Sequence, residues 1–276
     1  MNAPAELLPL FELLLKMALT AGVVVAASML AERSGAFLGA MIACLPTAAG
    51  AAYVILALEH PPAFIAQGAI GSIGATAAVG VFALVYASLA RRHGVAVSLG
   101  ASLATWLGCA ISLRAVDWTL GSVLLLSLVV FSTTAALSQR LRQPVARPTQ
   151  TRLRMSDVLL RAGTTALVVA VVTTISDHIG SFLSGVFALF PVVMGSLAAV
   201  LQPRIGGPAT SNVFANAQGP LFGLVVGFVA VNLLAGPLGV WWALFMGLAV
   251  CLGWNALLWA LNRTRPAAPA AGVSRA

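Results

Sequence analysis

Charge is what this sequence has least of. Only 8% of its 276 residues are Asp, Glu, Lys or Arg, and Lys16 is the one lysine beside fourteen arginines. A soluble domain carries roughly a quarter charged residues. A surface this poor in charge cannot face water over most of its area, which excludes a water-soluble globule. Cysteine is scarce as well. Cys44, Cys109 and Cys251 lie scattered inside apolar runs. An odd number so placed gives neither a disulfide framework nor a zinc spacing. Nucleophile elbow, phosphate loop and zinc motif are all missing, so an enzyme is not expected, nor a cofactor, nor a metal. No basic segment precedes the first apolar run, where Glu6 and Glu12 stand instead. A cleaved signal peptide is therefore not expected, and the first helix should remain.

What the chain does have is long apolar runs. It is 60% hydrophobic, with a mean hydropathy of +1.00. A membrane span needs about 20 mostly apolar residues. Nine such stretches can be read: 9–31, 35–57, 64–90, 94–113, 118–138, 158–176, 180–202, 212–235 and 238–262. Residues 139–156 form a polar linker with five arginines, two prolines and no acid, expected to be an exposed loop. The tail 263–276, rich in Ala and Pro, reads as disordered.

The arginines are not spread evenly. Loops after the first, third, fifth and seventh spans, with the tail, hold twelve of them, and the opposite side holds only Arg114. Basic residues beside spans set topology and meet lipid head groups, so the net charge of +8 points to a membrane surface and not to nucleic acid. The crowded side should be cytoplasmic, with the N-terminus out and the C-terminus in. Arginine's dominance over lysine suggests a high-GC bacterial genome and hence a bacterial cytoplasmic (inner) membrane.

One pattern occurs twice, 145 residues apart. Glu12 and Lys16 recur as Asp157 and Arg161; Glu32 recurs as Asp177, Pro46 as Pro191, Gly50 as Gly195 and Gly74 as Gly219. About 25 identities fall over residues 12–113, where composition alone gives about 10. Spans one to four match spans six to nine, and the fifth is a connector that turns the second copy over. The expected fold is all-α: a polytopic membrane protein of nine transmembrane helices in an inverted 4+1+4 repeat. Its parts are a first four-helix repeat (1–117), a connector helix (118–138), the basic linker (139–156), an inverted second repeat (157–262) and the tail.

Several residues could carry chemistry. Pro46 and Pro191 each lie near the middle of a span, with Thr47 beside the first and Gly50 and Gly195 one turn on. Proline removes a backbone donor and opens the helix, and freed backbone groups are tolerated in a bilayer only when packed in protein or lining a cavity. Matched breaks in two halves mark a central binding site, although each can also be an ordinary packing kink. Asn212, Asn216 and Gln218 have no full counterpart in the first copy, and buried amides act as interhelical glue or as substrate contacts. Glu12 with Lys16, and Asp157 with Arg161, have the acid-first spacing of a helical ion pair. They either anchor helix ends at the head groups or serve gating and ion coupling. Glu32 and Asp177, just before the second helix of each half, read as caps or as part of the same gating set. Gly219, Gly223 and Gly227 form a packing face, with Gly68, Gly71 and Gly74 a looser one. Glu59-His60 and Asp177-His178 read as loop polarity in preference to a metal site.

The stretch ELLLKMALTAGVVVAASMLAERSGAFLGAMIACLPT resembles the small bacterial GlpM-like membrane proteins in its early lysine (Lys16), its run of small apolar residues, and its Pro46-Thr47 in the second helix. The likeness covers one half-repeat and returns more faintly in the other, where Arg161 replaces lysine and Val192 follows Pro191. It implies a four-helix ancestor fused to itself through a linker helix, and no particular activity.

The function expected from these features is secondary transport of a small solute by alternating access. The scarcity of fixed interior charge favours a neutral, amphipathic or lipid-like solute. A lipid-handling protein or flippase is one alternative; a non-transporting scaffold or assembly factor is the other. Membrane lipids and a small-molecule substrate are the expected partners, nucleic acid is not, and a homo-oligomer is left open.

Overall fold

The computed structural model describes residues 17–18, 20–22, 47–142 and 155–263, with the side chains of Thr47, Met155, Leu160, Arg161, Asn262 and Arg263 outside the described set. Residues 17–18 and 20–22 are helical. Nine helices follow: α1 (Thr47–Glu59), α2 (Pro62–Ala90), α3 (Val95–Arg114), α4 (Leu120–Gln139), α5 (Met155–Ala188), α6 (Val192–Ile205), α7 (Gly207–Ala215), α8 (Gln218–Leu234) and α9 (Val240–Arg263). No strand occurs among the described residues. These nine elements are not nine spans. Among the described residues six stretches are long and apolar enough to cross a membrane; α5 with α6, and α7 with α8, each form one continuous helical stretch, and the first of these doubles back at Gly180. Leu58, Ile111, Leu125 and Trp242 stand more than half exposed on these helices, as side chains facing lipid do. The molecule is a membrane-spanning, all-helical protein.

Local chemistry explains where the rods start and break. Pro61 and Pro62 open α2, where a missing amide costs nothing. Thr119 caps α4 through a reciprocal bond with Ser122. Gly180 interrupts α5 with φ 76°, a left-handed conformation that a side chain would resist. The rod breaks again at Pro191, whose φ of −76° and ψ of 49° make a tight inverse turn, with the Val192 amide donating to the Phe190 carbonyl at 2.7 Å. A third break separates α7 from α8. Pro220 has no amide to offer the Asn216 carbonyl, so the helix restarts with Leu221 donating to Ala217.

α2 is the centre of the bundle: 72% of its apolar window is enclosed, against 11% for α9. Helices α3, α4, α5 and α8 pack around it. Small residues make the tightest contacts. A methyl group on Gly71 would run into the Phe182 carbonyl, and one on Gly185 into the Gly68 carbonyl, so α2 and α5 cross backbone to backbone. Gly223 and Gly227 receive Trp254, Cys251 and Gly247 of α9 in the same way. Gly74 lies against Leu113, and Gly219 against Leu258.

Bonds from α2 fix the direction of α8. Gln218, at the start of α8, donates to the Gly80 carbonyl at 3.0 Å, and Asn232, near its end, donates to Ala66 at 2.8 Å. The two helices therefore run antiparallel. The bundle has two unlike ends. One holds Arg91, Arg92, Arg140, Arg142 and Arg204, with Asp157 paired to Arg204; the other holds Glu59, His60, Arg114, Asp117, Asp177 and His178.

Candidate functional site

Broken helices are the natural place to look for a solute site, because irregular backbone in a membrane must be enclosed or face a cavity. The break after Ala188 lies between α3 and α2. Trp106 of α3, fully buried, meets Phe190 edge-on at 5.1 Å and Phe187 at 6.3 Å. Leu99 of α3 lies against Gly195 one turn below the break, where an added methyl would find it at an ordinary 3.7 Å. A methyl on Gly50 would meet nothing within 4 Å. Neither of these glycines is required by close packing, in contrast to Gly71 and Gly185. Pro191 itself is buried. Helix α6 begins there, and the first amides of a helix have no acceptor within it. Pro46 lies outside the described residues, so only one of the two expected breaks can be located.

The amides of the second half separate into two kinds. Gln218 is 2% exposed; its carbonyl accepts from Thr134 of α4 at 3.0 Å while its nitrogen donates to Gly80 of α2. It ties three helices together. Asn216 is exposed and closes the end of α7, its side chain donating to the Asn212 carbonyl at 2.8 Å. Asn212 and Asn216 do share one helical face, at the break between α7 and α8.

Charged residues fall at the two ends. Asp157, at the start of α5, receives Arg204 of α6 on both carboxylate oxygens, at 2.9 and 2.7 Å. The side chain of Arg161, the expected mate, lies outside the described residues; Arg204 reaches Asp157 because the chain doubles back at Gly180 and brings the far end of α6 beside the start of α5. Glu12, Lys16 and Glu32 lie outside the described residues. Asp177 caps no amide among the described residues. The first part of α5 runs on past it to Gly180, and the Asp177 carboxylate lies 3.8 Å from His60 Nδ1. The other ring nitrogen of His60 is 2.9 Å from the Ser176 hydroxyl. Among the described residues no cluster of three or more His, Cys, Asp or Glu is placed to hold a metal ion.

Sequence reasoning missed a second polar knot. Gln202 of α6, also buried, accepts from the Tyr86 hydroxyl and donates to the His93 carbonyl at 2.8 Å, while Ser211 of α7 donates to the Ala87 carbonyl at 2.6 Å. Together they lock the arginine-rich end of α2 to α6 and α7. The available signal was Gln202 standing before Pro203 in an otherwise apolar run.

No family model matches the chain, and no curated protein or solved structure is similar to it. Its own geometry therefore carries the functional argument.

Proposed function

We propose that the chain is a secondary transporter in which two inverted four-helix halves enclose a small-solute site and expose it to each side of the membrane in turn. The observation that carries this reading is a pair of hydrogen bonds. Ser211 bonds Ala87, and Asn232 bonds Ala66. Ser211 and Ala66 are 145 residues apart, and so are Asn232 and Ala87. The shift that aligns the two copies thus exchanges one bond for the other. Two-fold related halves behave this way, since wherever i meets j, the mate of j meets the mate of i. Because the matched helices are antiparallel, such an axis lies in the membrane plane, as an inverted repeat requires.

Packing within each half supports the same reading. Leu113 on Gly74 and Leu258 on Gly219 are one contact made twice at the same shift. The GlpM-like resemblance of the first half fits a fused four-helix ancestor, with nine spans in all. On the positive-inside rule the arginine-rich end faces the cytoplasm of a bacterial inner membrane, with the N-terminus out. The solute sits at the breaks around Pro191 and Pro46, with Thr47, Gly50 and Gly195 beside them.

Accessibility tests the reading. In protein with Cys44, Cys109 and Cys251 replaced by alanine, a cysteine at Phe190 is exposed to a membrane-impermeant maleimide from each side of sealed vesicles. A transporter gives labelling from at least one side. A cysteine closed to the reagent from both sides marks a packed kink, and the chain is then a scaffold.

A further inference from the structure

We infer that His60 is a proton-binding site that latches the Asp177 end of the bundle: with the proton bound it ties α1 to α5, and without it the tie weakens. This deepens the transporter reading and rests on it, since alternating access needs an end that closes and opens. His60 directly follows α1 and touches two other helices. Its Nε2 is 2.9 Å from the Ser176 hydroxyl of α5. Its Nδ1 is 3.8 Å from the Asp177 carboxylate. The ring face stacks on Phe64 of α2, with centroids 3.8 Å apart.

Ser176 fixes which ring nitrogen carries hydrogen. Its oxygen lies 2.7 Å from the Thr173 carbonyl, a separation that needs a hydrogen between the two, and a hydroxyl has only one. Nε2 therefore donates to Ser176. In a neutral ring with its hydrogen on Nε2, Nδ1 is a bare lone pair facing a carboxylate that also only accepts. The imidazolium has both N–H groups and suits both neighbours. A positive ring also gains from the face of Phe64 and from the C-terminal end of α1. The same bonds exclude a hydrolase triad. Ser176 is 1% exposed, and its hydrogen goes to a carbonyl and not to the histidine.

The surroundings leave the proton a way in and few rivals. The Asp177 side chain is 82% exposed, and that of His60 is 9% exposed. Helices α2, α5 and α9 pack against α1. Among the described residues, the titratable groups they bring to this end are Asp177 and His178 of α5, beside Glu59 on α1 itself; α2 has none before Tyr86, and α9 none before Cys251. The other end of the same rod is tied differently. Asp157, 20 residues before Asp177 and about 30 Å along the helix, is held by Arg204 of α6. Arginine keeps its charge at every working pH, so of these two ties only the one at His60 answers to protons.

The test uses full-length protein with Cys44, Cys109 and Cys251 replaced by alanine, spin-labelled at Leu58→Cys of α1 and Thr174→Cys of α5, both exposed positions. The separation of the labels is recorded at about pH 5 and about pH 8, the range over which histidine changes charge. A short, narrow distribution is expected at the lower pH, and loss of most of that short population at the higher. His60→Gln has no proton to release and is expected to give one distribution at both. Asp177→Asn offers an amide that can donate to a bare Nδ1, and is expected to stay short at both. A wild-type distribution indifferent to pH overturns the inference. So does a response that survives His60→Gln, which would assign it to Glu59, Asp177 or His178. A response that survives Asp177→Asn overturns it too, and that variant decides alone should His60→Gln not fold. The maleimide result at Phe190 stands apart from all of these, so the transporter reading can hold while this inference fails.

Discussion

Gly68 and Gly185 touch backbone to backbone where α2 crosses α5, and a side chain on Gly185 would run into the Gly68 carbonyl. The Ser72 hydroxyl reinforces the crossing by donating to the Gly185 carbonyl at 2.8 Å, and Tyr53 closes on Ser72 at 2.7 Å. Gly185→Ala forces the helices apart and is expected to destabilise the protein by about 1–3 kcal/mol or to block folding. Gly50→Ala, with open space around it, is expected to change stability by less than about 0.5 kcal/mol. Thermal melting in detergent compares the two, and equal losses would show that the crossing is not what holds α2.

Gln218 and Asn216 are two residues apart and should respond oppositely. Gln218→Leu leaves the Thr134 hydroxyl only its long 3.4 Å bond to the Phe131 carbonyl and takes the side-chain donor from the Gly80 carbonyl, and is expected to cost about 1–2 kcal/mol. Asn216→Ala removes a bond at an exposed helix end and is expected to cost less than about 0.5 kcal/mol. A neutral Gln218→Leu would remove Gln218 from the frame and return it to the solute site.

Ser211→Ala and Asn232→Ala break the two exchanged bonds at opposite ends of α2. Interhelical hydrogen bonds in membranes contribute about 0.6 kcal/mol on average. The positions are 21 residues apart in a rod rising 1.5 Å per residue, roughly 30 Å, so their effects should add. A double variant that loses much more than the sum of the singles, measured by the same melts, would mean that the ends are coupled through α2.

How much of this was legible depended on what each residue had to do. The stretches read as 64–90, 94–113 and 118–138 became Pro62–Ala90, Val95–Arg114 and Leu120–Gln139. Apolar runs closed by Pro61-Pro62, by Gly94 and by Thr119 leave little freedom in their limits. The break at Pro191 was legible for the same reason, since proline acts on its own backbone. The break at Asn216 was not, although its cause was visible as Pro220 four residues on; the amides drew attention as ligands and not as a helix end. Partners across helices were beyond reach. Nothing in the spacing of Asp157 names Arg204, a pair that forms only after the chain turns at Gly180, and nothing near His60 names Ser176, which the packing of α5 on α1 brings to it.

Topology has its own prediction. On the proposed topology the end holding Asp177 and the end holding Arg92 lie on opposite sides of the bilayer, with the arginine-rich end inside. An impermeant maleimide added to intact cells should label a cysteine at Asp177 and spare one at Arg92 until the membrane is opened. A cysteine at Arg33 should behave like the one at Arg92. Labelling of Arg33 and Asp177 from the same side would make the two copies parallel and remove the basis of the proposed function.

Between Gly180 and Pro191 lies a short helical piece, Ser181 to Ala188, about 12 Å long and jointed at both ends. Its tightest hold is the crossing with α2. A joint at each end and one bearing in the middle give the piece the layout of a lever. Local opening is cheapest where few bonds must break, so the backbone amides from Leu189 to Met194 are where deuterium should enter first.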